Sequence, residues 1–157
     1  MRVGLGFDVH RFAPNRKLVL GGIEIPSEVG LLGHSDADVL LHALMDALLG
    51  AAALGDIGDH FPDTDPQYEG VSSVVLLARV VELLFQEGYR VGNVDLMMMA
   101  QKPKVAPFKK QMIHLMANIL QVDPSCVSIK ATTMERMGFI GREEGIAVSA
   151  IALLMSK

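Results

Sequence analysis

The chain has 157 residues and a net charge of −4; half of its residues are apolar and 20% are charged. This composition excludes an intrinsically disordered chain, which is poor in aliphatic residues and rich in charge, and it does not favour nucleic-acid binding, which needs a basic face. The single cysteine excludes a disulfide scaffold within the chain.

The first half of the chain predicts a strand, a hairpin and a long helix. Alternating apolar residues over 3–9 indicate a half-buried strand, and Gly21-Gly22 between two short apolar runs is typical of a hairpin turn. A glycine-rich loop over 26–36 leads to a helix expected from about residue 37 to 54, with a capping box at 35–38 and a stop at Gly55. An acidic loop with two prolines follows, from Asp56 to Glu69.

The second half predicts two more helices and three strands. A helix is expected over about 72–87, a strand over 90–100, and a helix that opens at Pro107 and runs to about 121. Residues 126–133 and 145–155 have the pattern of the last two strands. This order favours an α+β sandwich, with helices packed on one face of a mixed β-sheet.

The same features predict one domain over residues 1–157. The mean hydropathy of +0.35 leaves apolar surface that a single domain cannot cover, so we expect an oligomer. No apolar run approaches the ~20 residues that span a bilayer. The N-terminal residues lack the apolar core of a signal peptide, so we expect a soluble, cytoplasmic protein.

Charge is segregated along the chain. Residues 18–78 carry ten acidic side chains and no lysine or arginine, whereas residues 96–122 carry four lysines and no acid. We expect the first stretch to attract cations and the second to attract anions. Ordinary solvated loops and helix faces are the alternative.

Asp8 and His10 are the first candidate metal ligands. Residues i and i+2 of a strand point to the same face, so their side chains lie together. Zinc accepts histidine nitrogen and aspartate oxygen, and a catalytic zinc site uses three protein ligands. His34 and His42 are the candidates for the third ligand, with His60 and His114 less well placed. A polar pair at a strand end is the alternative.

Three further clusters can support such a site. Asp46 follows His42 by one helical turn and is able to orient its ring, although a simple i, i+4 polar pair explains the spacing equally well. Residues 34–38 open a helix, where backbone N–H groups favour phosphate, and Ser35 as an ordinary cap is compatible with this. Residues 130–135 offer hydroxyls for phosphate and a carboxylate for Mg²⁺; a β-branched strand end is the alternative.

Many short motifs, in one order, give the chain a specific resemblance over essentially its whole length. They are Gly6-Phe7-Asp8-Val9-His10, His34-Ser35-Asp36-Ala37-Asp38, His42-Ala43-Leu44, Asp46-Ala47-Leu48, Gly55-Asp56-Ile57-Gly58, Phe61-Pro62-Asp63-Thr64-Asp65, Gly92-Asn93-Val94-Asp95, Ala100-Gln101, Pro103-Lys104, Lys130-Ala131-Thr132-Thr133, Glu135, Gly138-Phe139, Gly141-Arg142 and Glu144-Gly145-Ile146. The chain resembles the 2-C-methyl-D-erythritol 2,4-cyclodiphosphate synthases of the non-mevalonate isoprenoid pathway.

The resemblance implies a compact α/β homotrimer and a lyase. Its substrate would be 4-diphosphocytidyl-2-C-methyl-D-erythritol 2-phosphate, and its products the 2,4-cyclodiphosphate and CMP. Asp8, His10 and His42 match the zinc ligands, and Glu135 matches the ligand of a second ion, Mg²⁺ or Mn²⁺. His34 and Thr133 match the catalytic positions that stabilise the transition state.

The resemblance also implies a set of substrate contacts. The matching positions are Asp8, Val9, His10, His34, Ser35, Asp56, Ile57, Gly58, Phe61, Pro62, Asp63, Thr64, Asp65, Ala100, Gln101, Lys102, Pro103, Lys104, Val105, Ala106, Ala131, Thr132, Thr133, Met134, Glu135, Phe139 and Arg142. It implies that each active site is shared between two subunits. It also implies that an isoprenoid diphosphate can occupy a cavity on the trimer axis, with its diphosphate on Arg142.

Two other functions are compatible with the same residues. A zinc phosphohydrolase acting on a nucleotide diphosphate would use the same metals with water as the nucleophile. A non-catalytic nucleotide-binding trimer would hold a structural metal with four protein ligands, whereas an open fourth position favours an enzyme.

Overall fold

The computed structural model describes residues Met1–Lys157 as seven strands and five α-helices. The strands are β1 (Arg2–Pro14), β2 (Leu18–Leu20), β3 (Ile23–Ile25), β4 (Val29–Leu31), β5 (Tyr89–Met99), β6 (Val127–Thr132) and β7 (Gly145–Ser156). The helices are α1 (Val39–Ala52), α2 (Ile57–His60), α3 (Ser73–Gln86), α4 (Lys109–Leu120) and α5 (Gly138–Gly141). Single 3₁₀ turns lie at Pro66–Tyr68, Ala106–Phe108 and Pro124–Cys126.

Five strands form one mixed sheet in the order β4-β1-β7-β5-β6, and β2 pairs with β3 in a separate hairpin. The pair β5–β6 is parallel and the other pairs in the large sheet are antiparallel. The predicted mixed sheet is therefore confirmed. Since β5 and β6 run in parallel, their carboxyl ends, at Met99 and Thr132, meet at one edge of the sheet.

Helix α1 lies directly on β1, and two glycines make this approach possible. A Cβ atom built on Gly4 would lie 2.0 Å from the carbonyl oxygen of Ala47, and one on Gly6 would lie 1.9 Å from that of Ala43. Only a residue without a side chain fits at either position. The close packing fixes α1 relative to the middle of β1, where Asp8 and His10 follow Gly6 on the same face.

Replacing Gly6 by alanine is expected to lower the free energy of unfolding by roughly 3 kcal/mol, because α1 must move away from the sheet. Gly50→Ala is the matched control, since a Cβ at Gly50 meets no atom within 4 Å. Alanine there is expected to be neutral or stabilising by up to about 1 kcal/mol. Urea titration of both variants measures the difference; equal stabilities would contradict the packing described here.

The other face of the sheet is apolar and exposed. Val3, Leu5 and Phe7 of β1 are 67%, 69% and 57% exposed, and Ile151, which is paired with Leu5, is 49% exposed. The helices therefore lie on one face of the sheet, as the sequence predicts. None of the helices is both long and apolar enough to cross a membrane.

The predicted start of α1 is wrong by two residues. The N-cap is Asp38, not Ser35, and its carboxylate also accepts hydrogen bonds from the backbone N–H groups of Gly21 and Gly22 in the β2–β3 turn. Asp38 is fully buried, and burial raises its pKa to about 6 against the opposing effect of these N–H groups. One buried carboxylate thus ties the hairpin to the start of α1.

Other elements also differ from the prediction. The first strand was expected over residues 3–9, with Asp8 and His10 at its end, but β1 continues to Pro14. Helix α1 ends with Ala53 in the left-handed conformation, two residues before Gly55. The glycine-rich loop contains a short strand, β4, which pairs with Phe12–Pro14 and which no alternation in the sequence signals.

Candidate metal centre

Three side chains converge between the middle of β1 and the first turn of α1. The Oδ2 atom of Asp8 lies 2.9 Å from Nε2 of His10 and 3.2 Å from Nδ1 of His42, and the two histidine nitrogens are 3.2 Å apart. Two of the three come from β1 and the third from α1, so the close packing at Gly6 assembles the cluster. Asp8, His10 and His42 are called the metal cluster below.

The local hydrogen bonds orient both rings. The Nδ1 atom of His10 lies 2.6 Å from the carbonyl oxygen of Leu32, which requires a proton on Nδ1 and leaves the lone pair of Nε2 directed at the cluster. The Nε2 atom of His42 lies 3.1 Å from Oγ of Ser35 and 3.0 Å from Oγ of Ser73. Its Nδ1 atom faces Asp8.

The chemistry of this donor set fits a metal ion. A carboxylate oxygen and an imidazole lone pair repel each other at such distances unless a cation, either a proton or a metal, lies between them. Ligand atoms 2.0–2.1 Å from a tetrahedral zinc ion lie about 3.3 Å from one another, close to the separations found here. Two nitrogens and one oxygen are typical zinc ligands, and three of them leave a fourth position open.

Contacts within the metal cluster shift the pKa values of Asp8 and His10 in the metal-free protein. Burial alone would raise the pKa of Asp8, but hydrogen bonds from His10 and His42 hold it well below its usual range. Burial opposes protonation of His10, but the adjacent Asp8 carboxylate outweighs it and raises the pKa of His10 above 6.5. A proton therefore competes with a metal for this site near neutral pH.

Zinc affinity is consequently expected to fall as the pH decreases from about 8 to about 6. Because the Asp8 carboxylate raises the pKa of His10, its ring takes up a proton at a higher pH than an ordinary histidine does, and protonated His10 offers no lone pair to the metal. Competition with a chromophoric chelator of known proton affinity measures the zinc affinity at each pH. An affinity that stays constant over this range would show that His10 is not a ligand.

The structure decides between the two candidates for the third ligand. His42 joins Asp8 and His10, whereas His34 is not part of the cluster. The proposed role of Asp46 is wrong: its Oδ1 atom accepts a hydrogen bond from the backbone N–H of Ile57, and both ring nitrogens of His42 have other partners. Asp46 instead ties α1 to the start of α2.

A cavity of about 430 Å³ opens beside the metal cluster. His10 and His42 form part of its wall, and His34 and Ser35 line it. The remaining lining residues that match the sequence-predicted substrate contacts are Ile57, Gly58, Phe61, Pro62 and Asp63. Most of the loop predicted to bind substrate therefore faces the same space as the metal cluster.

Two acidic residues of that loop have structural roles as caps. Asp56 forms a capping box with Asp59 at the start of α2. Asp65 accepts a hydrogen bond from the backbone N–H of Gln67 at the start of the following 3₁₀ turn. Neither they nor Thr64 line the cavity.

The second predicted group of contacts lies elsewhere on the sheet edge. Residues 100–106 follow β5, and residues 131–135 include the last two residues of β6 and the loop after it. A hydrogen bond from Ala100 N to Thr132 O, 3.0 Å long, holds the two segments side by side. We call these two segments the strand-end patch. Three strand spacings separate β1 from β6, which is about 14 Å. The patch lines no part of the cavity beside the metal cluster.

Within the strand-end patch, Thr133 and Glu135 are already paired. The hydroxyl of Thr133 donates to the Glu135 carboxylate at 3.1 Å, and both residues are exposed. Arg142, beyond α5, pairs with Glu144 at 2.7 Å, and Phe139 is 43% exposed. The sheet edge thus presents hydroxyl, acidic and basic groups to solvent.

Sequence analysis missed three residues that support the site. Ser73 contacts both Asp36 and His42. The guanidinium of Arg16 donates to the carbonyl oxygens of Gly33 and Ser35 at 2.9 and 2.8 Å and so holds the loop that carries His34. Ser73 lies in the first turn of α3 and Arg16 lies between β1 and β2. No local pattern in the sequence marks the long-range contacts of Asp36, Ser73 or Arg16.

Comparison with known proteins places this geometry in context. The model of the YgbB family matches residues 1–155. A 2-C-methyl-D-erythritol 2,4-cyclodiphosphate synthase of Symbiobacterium thermophilum is 60% identical, with the whole of both chains aligned. The enzyme of the same name from Chlorobaculum parvum is 57% identical, also over the whole of both chains.

A solved structure with the same fold is described as IspF of Plasmodium falciparum in complex with CDP. It is 34% identical to this chain and superimposes with a TM-score of 0.87, covering 99% of this chain and 96% of its own.

Proposed function

The chain belongs to the YgbB family, and on that premise we propose that it is a 2-C-methyl-D-erythritol 2,4-cyclodiphosphate synthase, a lyase of isoprenoid precursor biosynthesis. The relatives of that name align over their full length at 57–60% identity. The observation that carries the proposal is the metal cluster, two of whose three residues, His10 and His42, line a cavity of about 430 Å³. The proposal treats residues 1–157 as one catalytic domain.

The proposed substrate is 4-diphosphocytidyl-2-C-methyl-D-erythritol 2-phosphate, which reacts with itself. An oxygen of its 2-phosphate bonds to the β-phosphorus, and the bond from the β-phosphorus to the bridging oxygen breaks. The bonding electron pair stays on that oxygen, which leaves as part of CMP. Because the reacting groups are all anionic, the protein must chiefly position them and neutralise charge.

Asp8, His10 and His42 would hold a zinc ion. When bound there, a divalent cation supplies a Lewis acid that neutralises phosphate charge. Residues of the loop from Ile57 to Asp63, which line the same cavity as His10 and His42, would hold the erythritol portion.

His34 and Thr133 are the proposed catalytic residues. His34 lines the cavity on a loop that Arg16 holds in place, so its ring can donate to a phosphate oxygen as charge develops. The Thr133 hydroxyl, which donates to Glu135 in the free protein, can redirect to phosphate when substrate arrives. Neither residue needs to remove a proton, because a phosphate monoester is already ionised near neutral pH.

Glu135 is the proposed protein ligand of a second ion, Mg²⁺ or Mn²⁺. A single exposed carboxylate is a weak site alone, and Mg²⁺ is usually bound by one or two carboxylates together with substrate phosphates. We therefore expect this ion to arrive with the diphosphate.

The proposed active site is shared between two subunits of a homotrimer. In one chain the metal cluster and the strand-end patch are three strands apart and do not border a common cavity. A second copy can bring its strand-end patch against the first copy's cavity, with its cytidine pocket formed by residues 100–106 and 131–133. Head-to-tail contacts of this kind close into a ring.

The exposed apolar sheet face supports a trimer. Val3, Leu5, Phe7 and Ile151 form a contiguous apolar surface, and such surfaces on a folded domain mark interaction sites. We propose that three of these faces meet at the trimer axis and leave an apolar cavity between them. An isoprenoid diphosphate would fit there, with its tail among apolar side chains and its diphosphate on Arg142.

The trimer is expected to bind geranyl diphosphate, and Arg142→Ala is expected to weaken binding about tenfold or more, because the substitution removes the charge-assisted contacts of Arg142 in all three subunits. Native mass spectrometry compares the bound fractions. Arg90→Ala is the matched control: Arg90 lies near the start of β5, at the end of the strand away from the strand-end patch. This variant should bind like the unmodified chain. Equal binding by Arg142→Ala and this control would exclude Arg142 from the site.

Release of CMP from the cytidyl substrate tests the proposed function. We expect release with Zn²⁺ and Mg²⁺ present, loss of release after chelation, and recovery when the metals are restored. A chain that binds zinc but releases no CMP would refute the proposal.

A further inference from the structure

Two residues with no part in the proposed substrate contacts orient the ring of His42: Ser73 contacts the ring, and Asp36 contacts Ser73. Ser73, at the start of α3, is fully buried, and its Oγ atom lies 3.0 Å from Nε2 of His42. The same hydroxyl lies 2.5 Å from Oδ1 of Asp36, and the backbone N–H of Ser73 donates to Oδ2 of Asp36 at 2.9 Å. Asp36, Ser73 and His42 are thus connected by successive hydrogen bonds.

The Asp36 carboxylate fixes which atom donates in each of these hydrogen bonds. An ionised carboxylate only accepts, so the single hydroxyl proton of Ser73 must go to Asp36. The Ser73 oxygen can then only accept from His42, which requires the proton of the neutral ring to sit on Nε2. The lone pair of His42 is thereby left on Nδ1, the atom that faces Asp8 and His10.

Ser35 does not impose the same order. Its Oγ atom lies 3.1 Å from Nε2 of His42 and accepts a weaker bond from the N–H of Ala37 at 3.3 Å. Its hydroxyl proton has no carboxylate partner, so Ser35 can donate to His42 or accept from it. Ser73, not Ser35, therefore determines the tautomer.

We propose that Asp36 and Ser73 are positioning residues that lock His42 in the tautomer whose Nδ1 lone pair binds the metal. The inference rests on the proposed metal site. Partners of this kind behind a metal-binding histidine typically change metal affinity 10–100-fold when removed. The Asp36–Ser73 pair takes the role that sequence analysis gave to Asp46.

The test uses the whole chain and two variants. Nitrogen-15 NMR of the metal-free protein at alkaline pH distinguishes protonated from unprotonated ring nitrogens, and the unmodified chain should show His42 with its proton on Nε2 only. Ser73→Ala, and separately Asp36→Asn, should give a mixture of tautomers. Both should weaken zinc binding roughly 10–100-fold in competition with a chelator.

Asp46→Asn is the matched control. It removes one negative charge near His42, as Asp36→Asn does, but it touches neither ring nitrogen. It should keep the single tautomer and lose less zinc affinity than Asp36→Asn. If Asp36→Asn fails to fold, Ser73→Ala alone decides, because alanine fits in the space of serine.

The proposal stands only if tautomer and affinity change together. A single Nε2-protonated tautomer in Ser73→Ala would overturn it, even if zinc binding weakened. Mixed tautomers with unchanged affinity would overturn it too. The NMR measurement needs neither metal nor substrate. A chain that is inactive or does not bind zinc would contradict the proposed function, but the tautomer of His42 could still be determined.

Discussion

Replacing His42 by alanine is expected to remove both bound zinc and CMP release while leaving the fold intact. The side chain supplies one of three ligand atoms, and the two that remain on β1 cannot hold zinc tightly alone. We expect zinc to fall from about one ion per subunit to less than about one tenth, measured by mass spectrometry of metal content. Turnover should fall with it.

His114→Ala is the matched control for this experiment. It makes the same substitution at an exposed position of α4, outside the metal cluster. The control should keep its zinc and its activity. Full zinc occupancy in His42→Ala would remove His42 from the ligand set.

Two inactive variants are expected to rescue each other when they assemble together. His42→Ala lacks the metal cluster, and a Lys104→Ala/Thr132→Ala double variant has a damaged strand-end patch. Suppose that each site combines the metal cluster of one subunit with the strand-end patch of the next. A working site then takes its cluster from the double variant and its patch from a neighbouring His42→Ala subunit. Random assembly of equal amounts gives this order at about a quarter of the sites.

The measurement is CMP release after the two variants are unfolded, mixed and refolded. Each variant refolded alone is the control and should stay inactive. Mass spectrometry confirms that mixed trimers have formed, and the whole refolded sample should recover towards about a quarter of the unmodified activity. Mixed trimers without activity would place both halves of the site in one subunit.

The sequence predicted the fold well where periodicity is strong. Helix α3 was expected over about 72–87 and lies at Ser73–Gln86, and β5 was expected over 90–100 and lies at Tyr89–Met99. The end of α1 was less predictable, because Ala53 adopts the left-handed conformation in place of the glycine that usually does so. The start of α1 was predicted wrongly because its N-cap, Asp38, is selected by a long-range contact: the carboxylate that caps α1 also accepts a hydrogen bond from the β2–β3 hairpin.

The metal cluster was only partly predictable from local pattern. Asp8 and His10 follow from strand alternation, but nothing in the spacing chose His42 over His34; the family resemblance did. The partner of His42 was missed for a similar reason: Asp46 is near in sequence, whereas Ser73 is 31 residues away and comes close only through packing of α3 on α1. Long-range contacts of this kind are not encoded in a local pattern.

Phosphorus NMR of the reaction products tests the central claim most directly, because a cyclase and a zinc phosphohydrolase both release CMP. The chain is incubated with the cytidyl substrate, Zn²⁺ and Mg²⁺, with His42→Ala as the background control. We predict equal amounts of CMP and a cyclic diphosphate whose two phosphorus atoms are coupled through one bridging oxygen. A linear product with two separate phosphate monoesters would show that water is the nucleophile, and it would contradict the account of this protein as a cyclodiphosphate synthase.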